Sequence, residues 1–374
     1  MNCKHFGVCG SCTIYNIDYK DELKDKKNKV LSLLEPFSVE DLEVFSATEA
    51  SYRARAEFRI WHDESGANYA MGRLDKRGAV NIEECPKVIE PIEKRLNSLI
   101  NAINSSNILK NRLFTVEFLA TTTNEVLITM IYHKRLDEVW EKEARRLENI
   151  LDAYIMGRSR KQKVILSQEF VTEKLLIDTY NYIYRHYESG FTQPNPYVNV
   201  KMIEWAIKQA KIIGYGDFLE SYCGLGNFTI PLSKYFNRVL ATEISKRSIA
   251  SAKENCKLNG VTNIDFIRLS SEEMTQALNR EREFRRLEGV CLDSYNFSTV
   301  LVDPPRAGLD MATLKLISNI ENIIYISCNP LTLARDLEEL IKTHTIEESA
   351  IFDQFPHTNH IESGVFLRKI NTHI

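Results

Sequence analysis

The sequence predicts an α/β protein with a central mixed α/β domain followed by a C-terminal doubly wound parallel sheet. Three observations predict it. Beyond Pro194 and Pro196, which mark a linker, short apolar runs alternate with helical patterns to the end of the chain. The run at 323–326 is uninterrupted, as a strand buried on both faces must be, and 217–221, 238–242 and 299–302 read as further strands of the same sheet. Before the linker, strict alternation at 52–60 describes a strand with only one buried face.

The chain has 374 residues, enough for two or three domains, and its 44% hydrophobic and 26% charged content is that of a globular protein. A formal charge of −3 means that any nucleic-acid partner would be held by local basic patches. The amino terminus carries no apolar signal region and no run reaches membrane-spanning length, so a cytoplasmic location with no membrane association is expected.

In chain order, Cys3, Cys9 and Cys12 form a C-x5-C-x2-C cluster in which Gly7 and Gly10 let the backbone turn, so that several thiolates can converge. Cys85, followed by Pro86, is the nearest candidate for a fourth ligand. Without a secretion signal such a cluster suits metal better than disulfides, and iron-sulfur and zinc are both open. Residues 18–34 follow as an amphipathic helix ended by Pro36. The 52–60 strand puts Arg53, Arg55 and Arg59 on its open face. With Arg73, Lys76, Arg77, Arg158, Arg160, Lys161 and Lys163 they suggest a phosphate-binding surface. Strands at 114–120, 126–132 and 163–166 and helices near 88–103 and 136–151 complete this part. The expected division is 1–36 for the cysteine cluster and helix, 37–186 for the central domain, and 187–374 for the C-terminal domain.

In the C-terminal part, the 217–221 strand runs into Tyr222-Cys223-Gly224-Leu225-Gly226-Asn227-Phe228, where glycines let a cofactor approach the backbone. Glu243 lies 17 residues past Gly226 at the end of the next strand, where an acid can bind both hydroxyls of a ribose. This pairing fits a nicotinamide dinucleotide or S-adenosylmethionine. Asp303-Pro304-Pro305 favours the second, because it presents a rigid, hydrogen-bond-poor loop to a planar base. Arg306 stands where adenine amino-methyltransferases carry a stacking aromatic. Cys328 lies between the 323–326 strand and a helix begun by Asn329-Pro330. A helix amino end favours the thiolate, so this cysteine is a candidate nucleophile.

Together with Phe191-Thr192-Gln193-Pro194-Asn195 and the 355–362 stretch Phe-Pro-His-Thr-x-His-x-Glu, these motifs closely resemble the S-adenosylmethionine-dependent RNA uracil-5-methyltransferases. Five motifs occur in the family's order. The resemblance implies a Rossmann-like class I methyltransferase domain at 187–374 and an RNA-binding role for the central domain. It also implies a site for S-adenosyl-L-methionine made by Gln193, Tyr222, Asn227, Glu243 and Asp303, with Cys328 as nucleophile and Glu362 as base. The chemistry gives a separate reason for a thiol and a carboxylate. Carbon 5 of uracil becomes nucleophilic only after a thiolate adds at carbon 6, and its proton must then leave. A uridine inside a folded RNA loop must also be flipped out of its stack.

The substrate signals conflict. Residues 271–287, 52–63 and 352–355 resemble the transfer-RNA branch, whereas Cys3, Cys9, Cys12 and Cys85 resemble the [4Fe-4S] pattern of the ribosomal-RNA branch. The expected substrate is the T-loop uridine at position 54 in the T-arm of tRNA, with other structured RNA open and no protein partner evident. The alternatives are a 23S ribosomal-RNA uridine, or a catalytically silent RNA-binding or folding module.

Overall fold

The computed structural model describes residues 1–370. An eight-stranded sheet runs in the order Glu43–Phe45, His344–Phe352, Glu362–Lys369, Asn322–Ser327, Phe297–Val302, Asp217–Ser221, Val239–Thr242, Ile264–Ile267. Its centre is parallel, and its strands Asp217–Ser221, Val239–Thr242 and Asn322–Ser327 are buried at every position, polar residues such as Glu220 and Asn322 included. The expected all-parallel sheet is corrected at one end. Glu362–Lys369 pairs antiparallel with both its neighbours, since it returns from His344–Phe352 through a tight loop rather than a helical crossover.

A seven-stranded sheet, in the order Ala79–Asn81, Gly66–Gly72, Arg55–Asp63, Leu113–Ala120, Val126–Tyr132, Tyr154–Ser159, Gln162–Ile165, forms the second body. Helices Glu90–Ser105 and Glu138–Leu151 cover it around Trp140, Phe118 and Leu99. Among the described residues no helix is long and apolar enough to cross a membrane.

Packing divides the chain differently from the boundaries expected at 36/37 and 186/187. Strand Glu43–Phe45 pairs with His344–Phe352, so it extends the large sheet. Val30, Leu34 and Leu42 share a core with Leu333, Leu337 and Ile351, which ties helix Tyr19–Leu34 to the same body. The hairpin Phe170–Ile177 and Tyr180–Tyr187 buries Ile177, Tyr182 and Tyr184 against helix Pro196–Ile213. Sequence order hid these contacts because each joins segments more than a hundred residues apart or lies across the linker.

Candidate active site

The site residues leave neighbouring strands along one edge of the large sheet. In sheet order these are Glu362, which opens its strand, then Cys328, Asp303, Tyr222 and Glu243, each just past a strand's carboxyl end. Glu362 joins them because its strand runs the opposite way. Ser327 and Ser363 form the last pair of that register, and Cys328 and Glu362 are the next residues beyond it, near enough that the Glu362 carboxylate raises the Cys328 thiol. This is the edge at which open α/β sheets bind ligands.

Asn329 starts helix Pro330–Leu340 as the sequence indicates. Its side-chain oxygen accepts from the Leu331 amide (3.2 Å), while its side-chain nitrogen donates to the Arg306 carbonyl (3.1 Å). The thiol state expected there is corrected. Burial pushes the Cys328 thiol up to about 11, and Glu362 and Asp303 add to this, with Arg306 opposing. Two carboxylates and desolvation outweigh the helix end. Both carboxyls are themselves perturbed: burial pushes Glu362 up to about 8, with help from Asp303, and pushes Asp303 up to about 7. No hydrogen bond from the described residues offsets either shift. The resting site therefore holds an acidic trio without a fixed cation strong enough to ionise it.

On the far side of Asp303 the backbone makes a tight loop. Tyr222 takes φ +66°, and Gly226 at φ +89° is a position where a Cβ would meet Ile230 Cδ1 at 3.0 Å. The Tyr222 hydroxyl lies 2.5 Å from Ser271 Oγ. Glu243 spans the loop, accepting from the Gly224 amide (3.3 Å) and the Ser245 amide (2.7 Å). Asn227 and Asn199 exchange two hydrogen bonds of 2.9 Å through their side-chain amides. Gln193, Tyr222, Asn227 and Asp303 line one narrow cleft, and Tyr222 and Glu243 line a second of about 380 Å³ beside it. Tyr222 is the wall they share. All five residues expected at the cofactor therefore border one or other of two adjoining clefts.

Sequence reading missed Glu220. It is buried on the last strand before the loop and lines the same cleft; one carboxylate oxygen has no partner, and burial pushes its pKa up to about 8. The available signal was an acid between Leu219 and Ser221 at the end of the strand 217–221. Asn199, which holds Asn227, carried no signal of its own.

Cys3, Cys9, Cys12 and Cys85 line a cleft of about 860 Å³ together with Arg53, Arg306 and His360. Among the described residues no three His, Cys, Asp or Glu side chains form a metal-holding group. Burial pushes the Cys85 thiol up to about 11, and the neighbouring thiols Cys12 and Cys9 add to it; Cys12 is likewise raised by burial and by Cys9 and Cys3. The thiols are thus near enough to repel one another as thiolates.

The basic groups are less available than the sequence suggests. Arg55 donates to the Glu188 carbonyl (2.7 Å) and to the Gly190 carbonyl, while Arg158 and Lys163 face the buried Glu188 carboxylate at 2.9 and 3.5 Å. Arg160 and Lys161 instead line a surface cleft of about 800 Å³ with His133, Lys134 and Arg135. Residues 270–272 border the Glu243 cleft, and Phe284 is buried in the core, so the 271–287 segment lies at the cofactor end. Phe355, Thr358 and His360, by contrast, border the cysteine cleft.

A crevice built in this way on the carboxyl edge of a doubly wound sheet defines a Rossmann-like class I S-adenosylmethionine-dependent methyltransferase. The profile of the tRNA (Uracil-5-)-methyltransferase family matches residues 18–370. The chain is 68% identical over 370 residues to the tRNA/tmRNA (uracil-C(5))-methyltransferase of a Sulfurovum species, covering 99% of this chain and 100% of that one. It is 52% identical over 371 residues to the like-named protein of a Nitratiruptor species, with the same coverage. The crystal structure of Pyrococcus abyssi tRNA (uracil-54, C5)-methyltransferase in complex with S-adenosyl-L-homocysteine matches with a TM-score of 0.73 at 25% identity, over 96% of this chain and 85% of that one. The chain belongs to the tRNA (uracil-5-)-methyltransferase family and is an S-adenosylmethionine-dependent RNA uracil-5-methyltransferase.

Proposed function

We propose that this enzyme methylates carbon 5 of the T-loop uridine at position 54 of tRNA through a covalent adduct between Cys328 and carbon 6. The observation that carries this reading is that Glu362, Cys328 and Asp303 stand at the ends of three neighbouring strands on one sheet edge. S-adenosylmethionine, when bound by Gln193, Tyr222, Asn227, Glu243 and Asp303, supplies the methyl group and a positive sulfonium, the charge this acidic trio lacks. The Cys328 thiol gives its proton to water, and the thiolate adds to carbon 6 of the flipped uracil while the electron pair moves to the carbon 4 oxygen as an enolate. Carbon 5 then bonds to the methyl group as the sulfur–methyl bond breaks, leaving neutral S-adenosylhomocysteine. Glu362 removes the carbon 5 proton, the carbon 5–carbon 6 double bond re-forms, and the Cys328 thiolate leaves. With its carboxyl pushed up to about 8, Glu362 must first release its own proton to water, and it then holds the carbon 5 proton firmly once taken.

The relatives' names and the solved neighbour support tRNA, and the T-arm is the part of it that carries this uridine. Action in the cytoplasm goes with that substrate. Unmodified tRNA, an isolated T-arm hairpin and a ribosomal-RNA fragment, competing in one tube, test the assignment. Methylation of the first two at the T-loop uridine is expected; preference for the third would move the enzyme to ribosomal RNA.

We further infer that Cys3, Cys9, Cys12 and Cys85 hold a [4Fe-4S] cluster. Their shared cleft and mutually raised thiols support this, because a cationic centre would relieve that repulsion. Anaerobically purified protein should be brown with broad visible absorption. One zinc in a colourless protein would replace the assignment, and absence of metal would end it.

A further inference from the structure

The loop 353–361 leads directly into Glu362, and it carries few internal hydrogen bonds of its own. Its anchors come from elsewhere: Phe45, Tyr52 and Asn195 each make one hydrogen bond to it, and the amino-terminal segment makes those described next. Glu22, on the first turn of helix Tyr19–Leu34, accepts from the His357 amide at 2.8 Å. Lys26, one turn on, lies 2.6 Å from the Glu22 carboxylate and 2.7 Å from that of Asp353, and donates to the Phe355 carbonyl at 3.1 Å. The Tyr19 hydroxyl donates to Asp353 at 2.6 Å. The His357 carbonyl accepts from the Thr13 and Ile14 amides at 2.9 and 3.1 Å. Glu22, Lys26, Asp353 and His357 are 1, 4, 2 and 4% exposed.

A buried ion triad is a costly way to stabilise a fold, and its best-attested use is to select one arrangement. Here the arrangement selected is strained, since His357 is held at φ +63° without being glycine. The loop between Asp353 and Glu362 sets where the base carboxylate emerges at the sheet edge, so a slip there displaces it from the carbon 5 proton.

We propose that Glu22 and Lys26 are positioning residues for Glu362: the amino-terminal helix seats the loop that aims the base at the Cys328 adduct. The inference rests on the reading of Glu362 as base. Proton removal comes after addition and methyl transfer, so loss of positioning slows the last step alone.

The test compares Lys26→Met with Glu362→Gln and the unaltered enzyme on unmodified tRNA, measuring kcat, KM for tRNA and the fraction of enzyme bound to RNA after denaturation. Lys26→Met should lower kcat about tenfold, lower KM for tRNA by a similar factor so that kcat/KM stays within about twofold, and accumulate the methylated adduct as Glu362→Gln does. Should Lys26→Met fail to fold, Tyr19→Phe, which removes one hydrogen bond and no charge, carries the test with a smaller adduct excess. If Glu362→Gln accumulates adduct but the folded Lys26 or Tyr19 variant shows none, the positioning role is wrong while the base stands. If Glu362→Gln itself accumulates none, the reading of the base has failed first and the inference falls with it.

Discussion

The two halves of the site are held by opposite strategies. On the cofactor side, Tyr222, Asn227 and Glu243 are fixed by contacts made mostly within one strand–turn–helix unit and its neighbour, such as Glu243 with the Gly224 and Ser245 amides. On the base side, the loop before Glu362 is fixed by Tyr19, Glu22 and Lys26, more than 300 residues earlier in the chain. The difference follows from what each half must do. Holding a cofactor requires a backbone shape, which local sequence can encode. Timing a proton transfer requires one carboxylate to be aimed at a transient adduct, and the loop before Glu362 takes that aim from segments distant in sequence.

The largest effect should fall where both halves meet. Cys328→Ala should leave cofactor binding within about twofold and reduce turnover about a thousandfold or more, because each later step needs the carbon 6 adduct. Binding by calorimetry and single-turnover methylation check this. Methyl transfer at a tenth of the normal rate would remove the covalent route altogether.

Next comes Glu362→Gln, which should reduce turnover about a hundredfold while leaving an RNA-linked enzyme band on a denaturing gel. The band distinguishes the base half from the cofactor half. A variant equally slow but free of adduct would mean that Glu362 acts before methyl transfer.

Glu243→Ala probes the cofactor half alone. Loss of a charged hydrogen-bond acceptor for a ribose should raise KM for S-adenosylmethionine about tenfold and leave kcat at saturation within about twofold. A fall in kcat without a change in KM would blur the division between the halves.

The smallest effect is on stability. A carboxyl raised from its usual range to about 8 in the fold binds a proton there that the unfolded chain has released. Its contribution is complete below about pH 4.3 and is lost as pH rises through 8. Glu362→Gln should therefore raise Tm by a few degrees at pH 9 and leave it nearly unchanged at pH 4. A variant less stable at pH 9 would mean that the carboxylate is favourably paired in the fold.

The same division explains what could be read in advance. Strands 217–221 and 323–326, the Asn329 cap and the glycine turn were legible because each rests on periodicity or local backbone chemistry. The approximate positions of helices Glu90–Ser105 and Glu138–Leu151 were legible for the same reason. The placing of Glu43–Phe45 in the large sheet was not, since a three-residue strand carries no pattern. Neither was the commitment of Arg55 to the Glu188 and Gly190 carbonyls, which turns a predicted phosphate contact into a clasp. The raised Cys328 thiol escaped as well: the helix end is visible in sequence, while the two carboxylates that override it arrive from separate strands.

The most direct test of the central claim, that Cys328 and Glu362 face each other as nucleophile and base, uses tRNA with 5-fluorouridine at the T-loop position. Fluorine cannot leave as a cation when a base draws on carbon 5, so the reaction should stop after methyl transfer with RNA still bound. Mass spectrometry of the digested complex should find the methylated fluorouridine on the peptide containing Cys328. The same nucleotide on another residue, or full methylation without any covalent species, would contradict the account.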